Sequence, residues 1–254
     1  MEKLDRLFAI GMVALLGAHP AMAQDKVEPS IGTDLVSNYV WRGQDLGDVS
    51  LQPTLGISYK GLSFSAWGSV GLSDWSDTKE FDLTLGYEKG GFNVAITDYW
   101  FNAGQDPDNH YFEYHAHKTN HVFEGNLGYD FGPVSFQAFV NFAGNDGVNK
   151  DGKRAYSTYL ELAAPFKFAT CEWEAALGVV PMATSFYNTT GIGLTNISLK
   201  ATKDIHITDT FSIPLFAQIA TNPYEKKAYF VFGLTLQPYT SFPKTSAAQR
   251  LTPN

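Results

Sequence analysis

The stretch over residues 50–73 most constrains what this chain can fold into. Apolar residues occupy every second position in both of its halves, which is the period of two that is typical of a β-strand. Lys60 and Gly61 separate the halves, and a two-residue connection containing glycine predicts a tight hairpin turn. The opposite face is small and polar apart from Trp67. Each half has about 10 to 12 residues, roughly the length a tilted strand needs to cross the hydrocarbon of a bilayer.

The first residues have the pattern of a secretory signal peptide. Two basic residues precede an apolar run over 7–18, and Ala21 with Ala23 forms an A-x-A cleavage site. The alternative interpretation of this run is a buried helix, since it is too short to span a membrane. We therefore predict a signal peptide over 1–23, followed by a polar leader over 24–30.

Charge and cysteine content exclude several classes of protein. The formal net charge is −8, which does not suit a nucleic-acid partner. The single cysteine, Cys171, cannot form an internal disulfide. After the signal peptide the sequence has no apolar run of 18 residues, which leaves alternating strands as the way to cross a membrane.

The alternation recurs along the rest of the chain and predicts twelve strands. Besides the pair within 50–73, we place them at 31–43, 80–88, 92–101, 121–130, 134–143, 155–164, 168–180, 193–202, 210–220 and 228–237. Five tighter connections alternate with six longer or more polar ones, which puts both termini on the short-turn side. An even strand count with loops sorted in this way is typical of an outer-membrane barrel. The sequence thus predicts an all-β, antiparallel, membrane-spanning up-and-down β-barrel over 31–237, with a polar tail over 238–254.

Two further features refine this prediction. Aromatic residues flank each of the five tighter turns and are expected to form a girdle at one membrane boundary, the alternative being ordinary core aromatics. Pro53 and Pro214 fall inside predicted strands, where a closed barrel has no edge to accommodate a missing N–H. We therefore expect a β-bulge at each proline.

Short motifs resemble the TorF-like family of putative porins from Gram-negative outer membranes. The segment 37–43, SNYVWRG, resembles the family's S-[DN]-Y-x-x-R-G opening, and similar pieces occur at 81–87 and 111–114. The chain departs from many outer-membrane barrels at its end, where a tail follows the last predicted strand. The resemblance implies transport across the outer membrane and does not supply a substrate.

With the apolar face turned to lipid, the other face lines the lumen. The predicted lumen-lining residues, mostly acidic, are Asp34, Asn38, Arg42, Glu80, Asp82, Glu88, Glu124, Asp130, Glu161, Glu172, Glu174 and Lys200. The excess of carboxylates predicts a preference for cations, unless these charges pair across the lumen and plug it. Arg42 is expected to bridge several carboxylates, because a guanidinium can hold two at once.

A histidine-rich loop at 110–121 is the one candidate metal site. His115 and His117 would face one way on an extended segment, and with His121 they form a weak candidate set for zinc or copper. The alternative is a set of solvated loop histidines, and no cofactor is expected.

The predicted function is a narrow, cation-preferring porin or channel for small solutes or ions, and not an enzyme. The expected location is the outer membrane of a Gram-negative bacterium with both termini periplasmic, and the expected partners are outer-membrane lipid and the barrel assembly machinery. A structural or adhesive barrel with a closed lumen is the alternative. A membrane-embedded hydrolase is the third possibility, although no G-x-S-x-G element is present.

Overall fold

The computed structural model describes residues 26–73, 77–102, 106–208 and 211–240. The predicted signal peptide at 1–23 and residues 241–254 of the predicted tail lie outside the described residues. Among the described residues, no helix has the length and apolar composition needed to cross a membrane.

Fourteen β-strands form the described part of the chain. They are β1 Glu28–Val36, β2 Tyr39–Trp41, β3 Gln44–Gly47, β4 Ser50–Tyr59, β5 Leu62–Gly71, β6 Lys79–Lys89, β7 Phe92–Asn102, β8 His121–Asp130, β9 Ser135–Gly144, β10 Thr158–Phe168, β11 Cys171–Val180, β12 Gly193–Thr208, β13 Phe211–Asn222 and β14 Lys227–Thr240. All except β2 and β3 form one closed barrel, and those two pair only with each other.

The barrel closes by pairing its first strand with its last. Strand β1 is antiparallel to β14 on one side, where Ser30 pairs with Thr240, and to β4 on the other. The remaining strands pair in chain order. The predicted twelve-stranded up-and-down antiparallel barrel is therefore confirmed, and its first and last strands begin and end at the same end of the barrel.

The two ends of the barrel differ in their connections. At one end, here called the short-turn end, the connections are 60–61, 90–91, 131–134, 169–170 and 209–210, whereas the other, long-loop end carries all the longer ones. Strand β12 continues to Thr208, so the predicted strand end at residue 202 and the long connection after it are wrong. The connection 223–226 is also shorter than predicted, because β13 extends to Asn222.

The two faces of the wall separate as the alternation predicts. Leu55 and Leu127 are 55% and 53% exposed on the outer face, while Asp82 and Glu124 are 1% and 2% exposed on the inner face. The buried hydrophobic clusters lie inside the barrel, where they include residues of β2 and its flanking segment. The outer face therefore presents an apolar band to lipid, and the packed core fills part of the lumen.

Strand β1 differs most from its prediction. It begins at Glu28, inside the predicted leader, and ends at Val36 instead of residue 43. Residues 39–41 leave the wall and form β2. The β-bulges predicted at the two prolines are also absent. Pro53 pairs in regular register with β1, and Pro214 pairs in regular register with β12.

Candidate functional site in the barrel lumen

The hairpin of β2 and β3 enters the lumen from the long-loop end. Its turn consists of Arg42 and Gly43 with φ values of 50° and 77°, the left-handed conformation that a two-residue hairpin turn needs. A Cβ on Gly43 would lie 1.8 Å from the carbonyl oxygen of Thr195. Only glycine therefore allows the turn to lie this close to the wall. The Asn222 side chain donates a hydrogen bond to the Gly43 carbonyl at 3.1 Å and fixes the turn to that wall.

Arg42 at the tip of the hairpin forms a buried ion pair. Its Nη1 and Nη2 donate to the two carboxylate oxygens of Glu124 at 2.6 and 3.0 Å, and Nη1 also donates to the Tyr187 hydroxyl at 2.6 Å. The side chains are 7% and 2% exposed. The guanidinium carbon lies 3.9 Å from the ring centre of Phe139. Burial acts to lower the pKa of Arg42, but Glu124, Tyr187 and Tyr99 together outweigh it. The pKa lies well above its usual value, so the guanidinium stays charged.

Aromatic side chains fill the lumen around the hairpin. Tyr39 and Trp41 pack with Trp67, Tyr99 and Val122 in one buried cluster. The Tyr39 hydroxyl donates to Glu80 at 2.9 Å, and the Tyr99 hydroxyl donates to Glu124 at 2.8 Å. The long-loop half of the lumen is therefore packed, and hydroxyl donors hold its Glu80 and Glu124 carboxylates.

A second inward segment, from the connection between β11 and β12, completes this packing. Tyr187 is buried against Tyr159 and Trp41, with ring centres 5.8 and 6.4 Å away. Thr184 hydrogen-bonds Ser157 at 2.5 Å, which joins this segment to the connection before β10. Within the described residues, the barrel is thus obstructed at its long-loop end by the hairpin and this segment.

The short-turn half of the lumen holds a cavity of about 430 Å³ whose lining includes charged, polar and apolar side chains. Trp41, Arg42 and Gly43 form its floor, and residues of nine wall strands form its sides. The described charged residues that line it are Asp34, Arg42, Glu161, Glu172, Glu174, Lys200 and Asp204. Because Arg42 is paired with Glu124, the cavity itself has an excess of carboxylates.

The predicted lumen residues divide into three groups. Asp34, Arg42, Glu161, Glu172, Glu174 and Lys200 line the cavity. Glu80, Asp82 and Glu124 point inward but are buried in the packed half, so the prediction that they line a wetted lumen needs correction. Asn38 lies at the base of the hairpin, and Glu88 and Asp130 lie at the short-turn rim. Among the residues that the structure describes, Arg42 pairs with one carboxylate, that of Glu124, whereas several were expected.

The histidine-rich loop packs on the outer wall instead of forming a metal site. His121 is fully buried, and its ring nitrogens contact Asp98 at 2.7 Å and the Tyr111 carbonyl at 2.6 Å. The His115 ring contacts Glu113 at 2.6 Å. His115, His117 and His121 do not form a set of metal ligands, and the described residues contain no group of three or more histidine, cysteine, aspartate or glutamate side chains that could hold a metal ion.

Sequence reasoning missed the inward hairpin and the aromatic packing around it. Tyr39, Trp67, Tyr99 and Tyr187 were not predicted as site residues, yet all four are buried in the lumen. The usable signal was Gly43, since Arg42 and Gly43 repeat the pattern of Lys60 and Gly61, whose φ values of 50° and 87° form the same kind of turn.

Comparisons with known proteins were made for the whole chain. A search of curated proteins finds no match. Solved structures with a similar fold include an outer-membrane channel from Pseudomonas putida F1 (11% identity, 87% of this chain and 97% of that chain covered, TM-score 0.37). Also similar is a porin refined at 1.8 Å (14% identity, 85% of this chain and 79% of that chain covered, TM-score 0.35). A third is OmpF of Salmonella typhi in complex with daunomycin (9% identity, 84% of this chain and 97% of that chain covered, TM-score 0.33). Since these TM-scores lie below 0.5, the fold assignment rests on the strand pairing of this chain.

A family model covers most of the chain. It matches residues 20–222, which include the lumen hairpin and eleven of the twelve wall strands up to the end of β13. The chain belongs to the family described as "Bacterial protein of unknown function (Gcw_chp)".

Proposed function

We propose that this barrel is an outer-membrane channel that prefers small cations, with the porin-like role that its resemblance to the TorF-like family implies. The observation that carries the proposal is the cavity of about 430 Å³ in the short-turn half, which five carboxylates line. A space of this size can hold several water molecules or a small hydrated cation. Twelve strands enclose a narrow lumen, so the solutes are small.

The charges of the cavity support the preference for cations. Glu172 and Glu174 lie on β11, and Glu174 is the cross-strand neighbour of Lys200 on β12. Lys200 lies 4.3 Å from the ring centre of Phe216, which keeps it against the wall. Lys167 contacts Glu172 at 3.2 Å at the exposed rim. The five carboxylates that line the cavity still outnumber Lys200 and Lys167, which gives the cavity a negative potential that attracts cations.

In this proposal the short-turn end faces the periplasm and both termini lie there. Short periplasmic turns and longer external loops are the usual arrangement of outer-membrane barrels. The cavity then opens toward the periplasm, and the hairpin closes the external side until it moves. The barrel assembly machinery is the proposed route of insertion.

Planar-bilayer recordings of the purified protein test the proposal. We expect discrete conductance steps with a reversal potential that favours cations in a salt gradient. The double variant Glu172→Gln/Glu174→Gln should lower that preference, whereas Glu88→Gln at the rim serves as the matched control. Steps that favour anions, or a preference that the double variant leaves unchanged, would contradict the proposed selectivity.

A closed structural barrel is the second candidate, and the buried Arg42–Glu124 pair favours it because this pair anchors the obstruction. It predicts no conductance from a correctly folded protein across the whole range of applied voltage. Silence in bilayers together with an intact barrel, seen as heat-modifiable mobility in electrophoresis, would select this candidate.

A further inference from the structure

Two polar residues on the outer face of the wall are covered instead of facing lipid. Asp98 on β7 lies two residues after the exposed Ile96, and His121 on β8 lies six residues before the exposed Leu127, so alternation places both on the outer face. Their side chains are nevertheless only 16% and 0% exposed, and the carboxylate contacts the imidazole. A polar pair at this position needs a cover, because lipid offers it no hydrogen-bond partner.

The cover is the part of the connection after β7 that comprises residues 106–120, here called the strap. The ring centre of Tyr111 lies 5.4 Å from that of Trp100 on the outer wall and 5.1 Å from that of His121. Tyr114 stacks on the His121 ring with 4.3 Å between the ring centres. The strap therefore folds back over the outer wall and buries His121.

The contacts of the His121 ring determine how many protons it carries. Nε2 lies 2.6 Å from the main-chain carbonyl oxygen of Tyr111, and a carbonyl oxygen can only accept, so Nε2 carries a hydrogen. Nδ1 lies 2.7 Å from Oδ1 of Asp98, a distance that also requires a proton between the two atoms. An imidazole is a stronger base than a carboxylate, so this second proton belongs to the ring. The contacts therefore describe an imidazolium that donates from both nitrogens.

We propose that the strap is a proton-dependent cover, closed while His121 is an imidazolium and opened along residues 111–114 when the ring loses a proton to water. A neutral imidazole has one N–H, so one of its two contacts would then join two acceptors. A buried contact between two acceptors is unfavourable, because neither atom can satisfy the other. Movement of the strap away from the wall relieves it.

The other ionisable groups that face the His121 ring do not account for such a change. They are the carboxylate of Asp98 on β7, which stabilises the imidazolium, and the phenols of Tyr111 and Tyr114 in the strap. Burial raises the pKa of Tyr111 to about 12, so its hydroxyl stays protonated well into the alkaline range. On β8 itself the neighbouring ring is that of Phe123, which does not ionise.

The strap has a second attachment that involves no ionisable group. Nδ2 of Asn109 donates to the main-chain carbonyl of Phe101 at 2.7 Å, and its Oδ1 accepts a hydrogen bond from the Trp100 indole at 2.9 Å. These bonds do not depend on pH. Loss of the proton should therefore free residues 111–114 while the strap stays attached at Asn109, so that the polar pair faces its surroundings.

Two measurements on the full-length folded barrel in detergent micelles test this inference. In nitrogen-15 NMR of the histidine rings, with His121 identified by its contacts with Tyr114, both ring nitrogens should carry a hydrogen at about pH 6 and only one at about pH 9. Deuterium exchange of amides 111–119, expressed relative to the loop at 149–153, measures the opening. This ratio should rise severalfold over the same interval of pH.

Two variants separate a proton-dependent cover from an ordinary packing contact. In Asp98→Asn the new amide can donate to Nδ1 of a neutral ring, while Nε2 still donates to Tyr111. The strap should then stay closed and the exchange ratio should no longer depend on pH. Asn109→Ala is the matched control, because it removes the neutral attachment and should raise the ratio by a similar factor at every pH.

Three results would overturn the inference. The first is a His121 ring in the wild type with an unprotonated nitrogen while residues 111–119 are protected from exchange, since the closed strap would then not need the second proton. The second is a wild-type exchange ratio that is independent of pH. The third is an Asp98→Asn barrel that keeps the wild-type pH dependence. The first two need only the wild type, and none of the three bears on the proposed channel because no conductance is measured.

Discussion

Arg42 is the residue on which the closed end of the lumen most depends. Replacing it with methionine leaves the Glu124 carboxylate buried without its cation, although Tyr99 still donates to it. Removing one partner of a buried ion pair costs about 3–5 kcal/mol, so Arg42→Met should destabilise the barrel by about that amount. Equilibrium unfolding in denaturant measures the change.

The matched control is the double variant Arg42→Met/Glu124→Gln. With both charges removed, most of the lost stability should be recovered, because no charge is left buried. The oxygen of the neutral amide can still accept a hydrogen bond from the Tyr99 hydroxyl. Additive losses in the double variant would show that the pair is not coupled. Arg42→Lys should also weaken the barrel, since an ammonium cannot reproduce the two-pronged contact.

The loop on the outer wall contains a group whose titration can be predicted. Hydrogen bonds from the backbone N–H and the ring of His115 lower the pKa of Glu113. A lowered pKa means that the ionised carboxylate orders the loop. That contribution is present above the pKa of Glu113 in the unfolded chain and is lost as the pH falls through its folded value. In a pH titration of the Glu113 carboxyl by NMR, His115→Ala should raise its pKa toward the ordinary value, whereas His117→Ala should not.

Asp98 shows what residue patterns alone could not predict. It interrupts the apolar outer face of β7, and a position at the membrane rim is the obvious interpretation of that interruption. In the structure its carboxylate contacts His121, over which Tyr114 stacks at 4.3 Å. The loop after β7 therefore covers the outer wall locally, and an alternation pattern carries no information about which loop will cover a polar outward residue.

At the scale of elements, the hairpin of β2 and β3 is the part that sequence reasoning missed. Tyr39, Val40 and Trp41 are residue types that favour strands, so their composition cannot separate a wall strand from a hairpin inside the wall. The distinguishing feature is the left-handed turn at Arg42 and Gly43, the last two residues of the predicted strand, which reverses the chain into β3. The candidate site was therefore only partly predictable, since the acids were found but their burial was not.

Excision of the hairpin tests whether it is the obstruction. Val36 of β1 and Ser50 of β4 pair directly, so a two-residue Asn-Gly turn can replace residues 37–49 without moving either strand. The barrel should still form, and its conductance in planar bilayers should increase severalfold because the cavity then reaches the long-loop end.

The control for this experiment replaces a different long-loop connection. Shortening the loop at 149–153, whose backbone turns back on itself between Asn149 and Lys153, should leave the conductance unchanged. Unchanged conductance in a folded barrel without the hairpin would mean that the segment containing Tyr187 closes the lumen by itself.

On the scale of the whole molecule, the alternation predicted the closed barrel because lipid imposes the same demand on every strand. All wall strands must turn an apolar face outward and satisfy their backbone groups through neighbouring strands, so each one repeats the same pattern. The interior imposes no single pattern on its side chains, because a barrel can be filled by water, by paired charges or by packed aromatic rings. This is why the wall could be predicted from sequence, whereas the division of the lumen into a packed half and a cavity could not.

That asymmetry between wall and lumen leads to a prediction for the barrel as a membrane protein. Leu85 lies near the middle of β6 and is exposed on the outer face, whereas Ser198 faces the cavity from β12. An arginine on the lipid face near the bilayer midplane costs about 2–4 kcal/mol, while a water-filled lumen tolerates a charge. In phospholipid bilayers, Leu85→Arg should therefore lower the free energy of unfolding by about that amount, and Ser198→Arg should change it much less. Equal losses from the two variants would contradict the assignment of the faces, because the outer wall alone borders lipid.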